Sequence, residues 1–319
     1  MRVGKCFLGL AACLYAVAAD AERVPMKLWY DEPAKVWMTS ALPVGNGGIG
    51  AMFFGGVAKE QLQFNDKTLW AGSTTRRGAY QNMGDLFFEF DTPETCTNYR
   101  RELSLDDAIG RVSYTIDGVD YLREYFASNP DSVIVVRLQA DKAGALAFTV
   151  GYDAPLKHEV NVEGDLLTIT CEGKDQEGVK AALRAECRVK VVSDGQTITE
   201  GKNLKVTGAT EATLYLSAAT NYVNYHDVSG DAAVRADRCL QRAVQIPYKK
   251  ALENHVAYYR KLFGRVQLDL GETAAASKET TLRIRDFCQG NDPSLATLLF
   301  QYGRYLLISS SQPGGQPAN

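Results

Sequence analysis

The glycine-rich segment 45–50 is the first place where residue types suggest chemistry. Gly45, Gly47 and Gly50 have the G-x-G-x-x-G spacing of dinucleotide-binding loops, in which a helix follows and points its N-terminus at the pyrophosphate. Here the apolar residues 51–54 run directly into Gly55-Gly56, a pattern typical of a strand that ends in a turn. The sequence therefore favours glycines that allow a tight strand entry over a nucleotide site.

Carboxylates and histidines are the other candidates for proton transfer. Hydrolysis of a glycosidic bond usually needs two groups on opposite faces of the sugar, one of them a proton-donating carboxylic acid. Asp106 and Asp107 are adjacent, so on a strand or turn they point apart and cannot bracket one bond. His158, His226 and His255 have no serine or cysteine nucleophile motif near them. We expect surface or packing roles for these groups and predict no catalytic residue among them.

Three tryptophans, Trp29, Trp37 and Trp70, are candidates for stacking on sugar rings. An indole has a large apolar face and one N–H donor, which suits a sugar as well as an interface between domains. Both roles stay open, with packing expected for at least two of the three.

Composition indicates a globular chain long enough for about two domains. The 319 residues are 45% hydrophobic and carry a net charge of -3. Lys and Arg are scattered, so the sequence has no basic stripe to neutralise phosphates, and nucleic acid is not a predicted partner. A neutral, polyhydroxylated partner is compatible with such a surface.

The seven cysteines indicate neither a metal site nor a disulfide framework. Cys6 and Cys13 lie near the N-terminus, and the other five are widely spaced, without CxxC or histidine-rich ligand patterns. Buried free thiols are expected, with a single Cys171–Cys187 disulfide as the alternative. The sequence predicts no metal and no cofactor.

Residues 1–21 have the composition of a signal peptide. Arg2 and Lys5 precede an apolar run too short to span a membrane, and Ala19-Asp20-Ala21 matches a small-x-small cleavage site. The alternative is a lipobox at residues 10–13, which would make a lipidated Cys13 the first mature residue. The prediction is an exported protein, periplasmic or extracellular, or an outer-membrane lipoprotein attached to the membrane through Cys13.

From residue 27 to about residue 219 the sequence reads as short strands separated by turns, which predicts a large antiparallel β-sandwich. Asp117-Gly118 marks the clearest hairpin, because a two-residue turn with positive φ favours that dipeptide. Gly164-Asp165 and Asp194-Gly195 are predicted to be turns of the same kind. The predicted strands are 49–54, 61–64, 111–116, 119–126, 132–138, 145–152, 166–171, 183–192 and 213–217.

After Asp231 the apolar spacing changes from two to about 3.6 residues, which indicates helices. Apolar residues within 252–263 share one face of a helix that Pro247 would open or kink. Residues 266–270 alternate as a strand, and residues 274–278 are predicted to be a loop.

The final helix has clear start and stop signals. Asp292 can cap it, Pro293 suits the first helical position, and residues 310–315 end it. Its apolar face has almost no polar break, so the helix is expected to need partners on more than one side.

A long series of motifs resembles family 95 of the glycoside hydrolases, the group of bacterial α-L-fucosidases. The series runs in order along nearly the whole chain after the signal, so chance matching is negligible. The motifs are Leu42-Pro43-x-Gly45-Asn46-Gly47-x-x-Gly50-Ala51-Met52, Asn65-x-x-Thr68-Leu69-Trp70-x-Gly72, Gly84-Asp85-Leu86, Gly118-Val119-x-Tyr121-x-Arg123-Glu124, Asn129-Pro130-Asp131, Tyr259-x-x-Leu262-Phe263, Gly290-x-Asp292-Pro293, Phe300-x-Tyr302-Gly303-Arg304-Tyr305 and Pro317-Ala318-Asn319.

This resemblance implies a mostly β chain with a helical C-terminal part. The implied parts are a signal peptide at 1–21, an antiparallel β-sandwich (supersandwich) at 22–226, a helical linker at 227–290, and the first helix of an incomplete (α/α)6 barrel at 291–319. The family inverts the anomeric carbon, with a barrel glutamate as acid and an asparagine, polarised by an aspartate, activating water. Those residues follow the Pro-Ala-Asn motif, which implies that the chain is an inactive N-terminal fragment.

Two departures from the family pattern concern the side expected to face substrate. Residues 72–80 are short where relatives carry a longer helical excursion, and Gln312 stands where relatives have arginine. The residues predicted to line a rim against the barrel, with structural roles as the alternative, are Asn46, Asn65, Trp70, Gln316 and Asn319.

Two functions are compatible with these features. The first is the N-terminal portion of an exported, inverting α-L-fucosidase that acts on fucosylated oligosaccharides of plant or host glycans. The second is a self-standing glycan-binding or scaffold β-sandwich. The sequence leaves fucose and L-galactose as open alternatives, because the pocket that separates them is expected beyond residue 319.

Overall fold

The computed structural model describes residues 25–72, 78–176 and 178–315. The predicted signal peptide, Cys13, Gln316 and Asn319 lie outside these ranges. The described residues are mostly antiparallel β-structure up to residue 220, with helices after it, as the sequence predicts.

The strands alternate buried and more exposed residues along most of their length, which is the pattern of sheets that cover a core on one face. They are β1 (Lys27–Tyr30), β2 (Leu42–Gly45), β3 (Ile49–Phe53), β4 (Lys59–Asp66), β5 (Trp70–Ala71), β6 (Ala79–Tyr80), β7 (Gly84–Phe90), β8 (Thr97–Ser104), β9 (Ile109–Ile116), β10 (Val119–Ser128), β11 (Val133–Ala140), β12 (Leu146–Asp153), β13 (Lys157–Glu163), β14 (Leu166–Glu172), β15 (Arg184–Ser193), β16 (Gln196–Glu200), β17 (Asn203–Ala209) and β18 (Glu211–Thr220).

Two large sheets and one short ribbon contain these strands. The first sheet has the order β1-β8-β9-β10-β11-β18-β15-β14-β13, the second β16-β17-β12-β7-β4-β3-β2, and β5 pairs with β6. The two sheets contact each other face to face, and one continuous apolar core lies between them. The fold is therefore a β-sandwich, and the nine strands predicted between residues 49 and 217 are confirmed within a few residues.

The Asp117-Gly118 hairpin is confirmed by its backbone geometry. Val119 pairs with Ile116, and the φ angles of 51° at Asp117 and 75° at Gly118 are both positive. Two consecutive positive φ values define the turn that matches the twist of adjacent strands.

Asp194-Gly195 is a turn but not a hairpin, so that prediction is wrong. The dipeptide carries the chain from β15 in one sheet to β16 in the other. Asp194 Oδ1 accepts hydrogen bonds from the backbone N–H groups of Thr210 (2.8 Å) and Glu211 (3.0 Å). The Asp194 side chain thus joins the connection between β15 and β16 to the connection between β17 and β18. The local sequence does not predict this contact.

Five helices complete the described structure: α1 (Trp37–Ser40), α2 (Ala232–Val244), α3 (Tyr248–Phe263), α4 (Thr280–Asp286) and α5 (Pro293–Ser310), with 3-10 turns at Ala274–Ser277 and Phe287–Gln289. Helices α2 and α3 lie against the outer face of the nine-stranded sheet, where a second apolar cluster joins Phe126 and Tyr215 to Leu240 and Ala251. Pro247 immediately precedes α3 and separates it from α2.

The predicted strand at residues 266–270 is absent from the described structure, so that prediction is wrong. Helix α4 was not predicted from the sequence. Residues 266–270 form no strand, and the carbonyl of Val266 accepts a hydrogen bond from Arg304 Nη1 at 3.0 Å. Helix α4 begins after Glu279, whose carboxylate accepts a hydrogen bond from Leu282 N–H.

A buried ion pair connects the two sheets. Glu60 on β4 and Arg123 on β10 are almost completely buried, and Arg123 Nη1 lies 3.2 Å from Glu60 Oε2. Glu60 Oε1 accepts the backbone N–H groups of Phe54 (2.9 Å) and Gly55 (3.0 Å). Burial raises the pKa of the Glu60 carboxyl, while Arg123 and these two N–H groups oppose the rise.

We predict that Glu60→Gln destabilises the fold by about 3 kcal/mol or more, because Arg123 would remain buried without a compensating charge. Urea unfolding measures this change. Glu89→Gln is the matched control, since Glu89 pairs with Lys59 on the surface of the same sheet and should cost less than about 1 kcal/mol. Equal losses in the two variants would contradict the prediction.

Candidate functional site

The hairpin 45–50 is a closed turn between β2 and β3. Asn46 N–H donates to the carbonyl of Ile49 (3.1 Å), and Gly45 pairs with Gly50. A strand follows the glycines where a dinucleotide site would need a helix. The interpretation of these glycines as a tight strand entry is therefore confirmed.

Asn46, a predicted rim residue, is buried beneath this hairpin. Its Oδ1 accepts the N–H groups of Gly48 and Ile49, both at 3.0 Å, and its Nδ2 donates to the carbonyl of Ser128 at 3.0 Å. Asn129 Nδ2 in turn donates to the carbonyl of Asn46 at 2.9 Å. The side chain thus shapes the turn and joins the two sheets.

Helix α5 packs on this hairpin through the glycines. Gly47 N–H donates to the carbonyl of Ser309 at 2.8 Å, and Tyr305 Oη donates to the carbonyl of Pro43 at 2.6 Å. A Cβ on Gly45 would lie 2.6 Å from the carbonyl oxygen of Ser309, and one on Gly47 would lie 2.4 Å from the side chain of Gln312. Glycine is therefore required here for close approach of the helix, in addition to the turn.

Gln312 belongs to the same contact. Tyr258 Oη on α3 donates to Gln312 Oε1 at 2.7 Å, and Gln312 Nε2 donates to the carbonyl of Ile308 at 2.7 Å. Gln312 therefore joins α3 to the C-terminal end of α5.

Asn65 lies at the end of β4 beside the hairpin, opposite Gly50. Its Oδ1 accepts the N–H of Asp66, and Asp66 Oδ1 accepts the N–H (2.8 Å) and hydroxyl (2.6 Å) of Thr68. Burial raises the pKa of the Asp66 carboxyl, and the bonds from Thr68 oppose that rise. Lys67 N–H donates to the carbonyl of Gly48 at 2.9 Å, which joins this loop to the hairpin.

The predicted rim residues thus fall into three groups. Asn46, in the hairpin, and Asn65, at the end of β4, lie at the end of the sandwich that contacts the C-terminal end of α5. Trp70 is the first residue of β5 in the ribbon β5–β6 and is partly exposed. Gln316 and Asn319 lie outside the described residues.

Sequence reasoning missed Ser309 and Lys67 as parts of this region. Ser309 contributes its backbone carbonyl, which every residue type has, so no sequence signal marks it. Glycines at alternate positions before a strand were the available signal, because such spacing often marks close backbone approach.

The carboxylates and histidines considered as catalysts have structural partners. Asp106 Oδ2 accepts the N–H of Met26 at 2.8 Å, and Asp107 pairs with Arg111 at 3.3 Å. His255 is buried against Phe126 and bonds to the carbonyl of Ala108, and burial lowers the pKa of its imidazole. A packing role for His255 is confirmed.

An open cleft of about 600 Å³ lies between β13–β15 and the start of α2. Two of its acids form ion pairs, Glu172 with Lys157 (3.0 Å) and Glu186 with Arg188 (2.6 Å), and Asp231 caps α2. The hydrogen bond from Lys157 lowers the pKa of the Glu172 carboxyl, which makes this side chain a poor proton donor.

Within residues 25–72, 78–176 and 178–315, His, Cys, Asp and Glu form no group of three that would hold a metal ion. Across the same ranges, none of the helices combines the length and apolarity needed to cross a bilayer. The five described cysteines are free thiols, of which Cys171 and Cys187 are buried and Cys288 is exposed.

Comparison with known families defines the class of the protein. The model described as "Glycosyl hydrolase family 65, N-terminal domain" matches residues 28–79 and 73–225, which is more than half of the chain. The model described as "Glycosyl hydrolase family 95 catalytic domain" matches residues 247–319. The chain therefore belongs to the glycoside hydrolases with an N-terminal domain of this type, and its last part is similar to a family 95 catalytic domain.

Individual relatives agree with this assignment. "Alpha-L-fucosidase 2" of Arabidopsis thaliana is 35% identical over 367 positions, which cover 92% of this chain and 43% of that protein. "Probable alpha-fucosidase A" of Aspergillus niger is 26% identical and covers 98% of this chain, which spans 46% of that protein. The chain thus spans slightly less than half the length of these relatives.

A solved structure described as "Putative kojibiose phosphorylase from human microbiome" shares the fold. It superposes with a TM-score of 0.52 at 10% identity, and the match covers 90% of this chain and 43% of that one. The described sandwich and helices therefore occur as part of a larger fold in a distant protein.

We predict that Gly47→Ala loosens the contact between the hairpin and α5. Gly47 has a φ of 79°, and Gly118 has a φ of 75° with open space around it. Gly118→Ala therefore reports the strain of a left-handed alanine alone, about 1–2 kcal/mol. Gly47→Ala should cost at least about 1 kcal/mol more, because Gln312 must also move.

Urea unfolding of the two variants measures this difference, and amide hydrogen exchange at residues 309–312 locates it. Exchange there should accelerate in Gly47→Ala and stay unchanged in Gly118→Ala. The same rate in both variants would show that the hairpin does not hold α5.

Proposed function

We propose that this chain is the N-terminal portion of an inverting α-L-fucosidase that acts on fucosylated oligosaccharides. The match of residues 247–319 to a family 95 catalytic domain carries the proposal, and the curated relatives named as fucosidases support it. In this proposal the general acid and the water-activating asparagine lie beyond residue 319. The described residues position the start of the catalytic domain, and the chain alone does not hydrolyse substrate.

The outer surface of α5 supports the barrel part of this proposal. Leu298 and Tyr305 pack against the sandwich, whereas Leu299 is 71% exposed and Leu307 is 57% exposed. Exposed apolar side chains on one helix are typical of a surface that another element covers. In the proposed enzyme, further helices of the (α/α)6 barrel cover Leu299 and Leu307.

Fucose release by two polypeptides tests the proposed activity. The 319-residue chain should release no fucose from an α-1,2-fucosyl oligosaccharide, whereas a polypeptide extended along its own reading frame to the length of the relatives should release it. Proton NMR of the first product should show β-L-fucose, because a single displacement by water inverts the anomeric carbon. Release by the 319-residue chain alone, or a first product of α configuration, would contradict the proposal.

We also propose export, on the basis of the composition of residues 1–21. Mass spectrometry of the mature N-terminus should find Glu22 as the first residue after expression in a bacterium with a periplasm. Detection of a diacylglyceryl group on an N-terminal Cys13 would support the lipoprotein alternative instead. An unprocessed Met1 in the cytoplasmic fraction would contradict both.

A further inference from the structure

Trp70 and Tyr80 form an exposed aromatic pair on the ribbon β5–β6. The two residues are directly opposite in register, with ring centroids 4.7 Å apart and ring planes at 90°. Trp70 is 39% exposed and Tyr80 is 53% exposed. Two large rings at right angles make a corner in which a flat apolar ligand can contact both.

Two glycines leave room for the indole. A Cβ on Gly78 would lie 1.9 Å from Trp70 Nε1, and a Cβ on Gly72 would lie 2.8 Å from the same atom. The backbone of the ribbon therefore lies directly against this edge of the ring. Such support restricts the rotamers of Trp70, so that little side-chain entropy would be lost when a ligand binds.

The loop that leads into the ribbon contacts the residues that follow α5. It continues from the loop 66–69, in which Lys67 N–H is bonded to the hairpin carbonyl of Gly48. A Cβ on Gly315 would lie 2.7 Å from Lys67 Nζ, so this lysine also reaches the chain beyond α5. Trp70 therefore follows closely along the chain after a lysine that contacts both the hairpin and the residues beyond α5.

The match to the N-terminal domain model is divided into two segments at the ribbon. The two matched segments of the N-terminal domain model meet and overlap at residues 73–79. The 367 aligned positions shared with the Arabidopsis relative exceed the 319 residues of this chain, so that relative has insertions within the aligned region. Segments that vary in length between relatives are common sites of substrate specificity.

We propose that Trp70 and Tyr80 form a subsite that binds a pyranose ring of a neutral, fucosylated oligosaccharide. The choice of ligand rests on the proposed function. A pyranose presents an apolar C–H face to the indole, and the Tyr80 hydroxyl supplies a hydrogen-bonding group at the edge of the corner. The methyl group of fucose adds apolar area that an aromatic corner can cover.

The test is an NMR titration of the 319-residue chain with 2′-fucosyllactose. The chain has three tryptophans, so its indole N–H signals can be assigned from single Trp→Phe variants. The Trp70 signal should shift at millimolar ligand, and the Trp29 and Trp37 signals should not. Trp70→Ala should weaken binding roughly three- to tenfold, while Trp37→Ala, which removes another exposed indole, should leave it unchanged.

Trp70→Phe keeps an aromatic face and separates binding from folding. Urea midpoints should agree among the wild-type, Trp70→Phe and Trp37→Ala chains, and Trp70→Phe should retain part of the affinity. A stationary Trp70 signal at saturating ligand, or equal weakening by Trp37→Ala, would overturn the subsite.

Hydrolysis by the extended polypeptide distinguishes this inference from the proposed function. Binding at Trp70 without hydrolysis by that polypeptide would support the subsite and refute the enzyme. Hydrolysis with an unchanged KM for 2′-fucosyllactose in Trp70→Ala would support the enzyme and refute the subsite.

Discussion

The Glu60–Arg123 pair is the interaction on which the arrangement of the sandwich depends. Two opposite charges buried between sheets are tolerated only if nearly every polar atom finds a partner. Arg123 donates to the carbonyls of Gly56 and Val57 and to the Tyr114 hydroxyl, while Glu60 accepts from the turn after β3. Because a one-residue shift of β4 or β10 would move a charge into the wrong face, this pair fixes how the two sheets face each other.

The same turn extends the constraint toward the helical part. Tyr99 Oη donates to the carbonyl of Gly55, and Arg101 donates to the carbonyl of Ser40. Both side chains belong to β8, so the nine-stranded sheet binds the loops beside β2 and β3. Strands β2 and β3 then hold the hairpin 45–50 against α5. The position of α5 is therefore set by backbone contacts that only glycine allows, on a hairpin that buried polar groups hold in place.

In this chain the sandwich holds one face of α5 in place. A helix whose outer face is apolar has no stable position unless its inner face is well fixed. The sandwich supplies that fixed surface through Pro43, Gly45 and Gly47. In the proposed function, the catalytic residues lie beyond residue 319. The described residues position the start of the catalytic domain and contact part of the oligosaccharide.

Local patterns in the sequence were sufficient for most elements but not for their partners. The alternation within β9 and β10 and the Asp117-Gly118 turn specify a hairpin by themselves, and Asp292-Pro293 specifies the start of α5. The equally regular alternation at residues 266–270 forms no strand, and a side chain of α5 bonds to the carbonyl of Val266 instead. Asp194-Gly195 has the composition of a hairpin turn, yet it joins different sheets.

The sequence by itself determined the family, the strand-rich region, the final helix and the turns that glycine and proline define. Tertiary structure alone decided that Asn46 is buried, that Ser309 and Gln312 contact the glycine hairpin, and that Trp70 lies against Tyr80 on an exposed ribbon. The physical reason is the distance along the chain over which each effect acts. Periodicity and turn chemistry act within a few residues, whereas the burial of one polar side chain depends on groups such as Ser128, which lies 82 residues further along the chain.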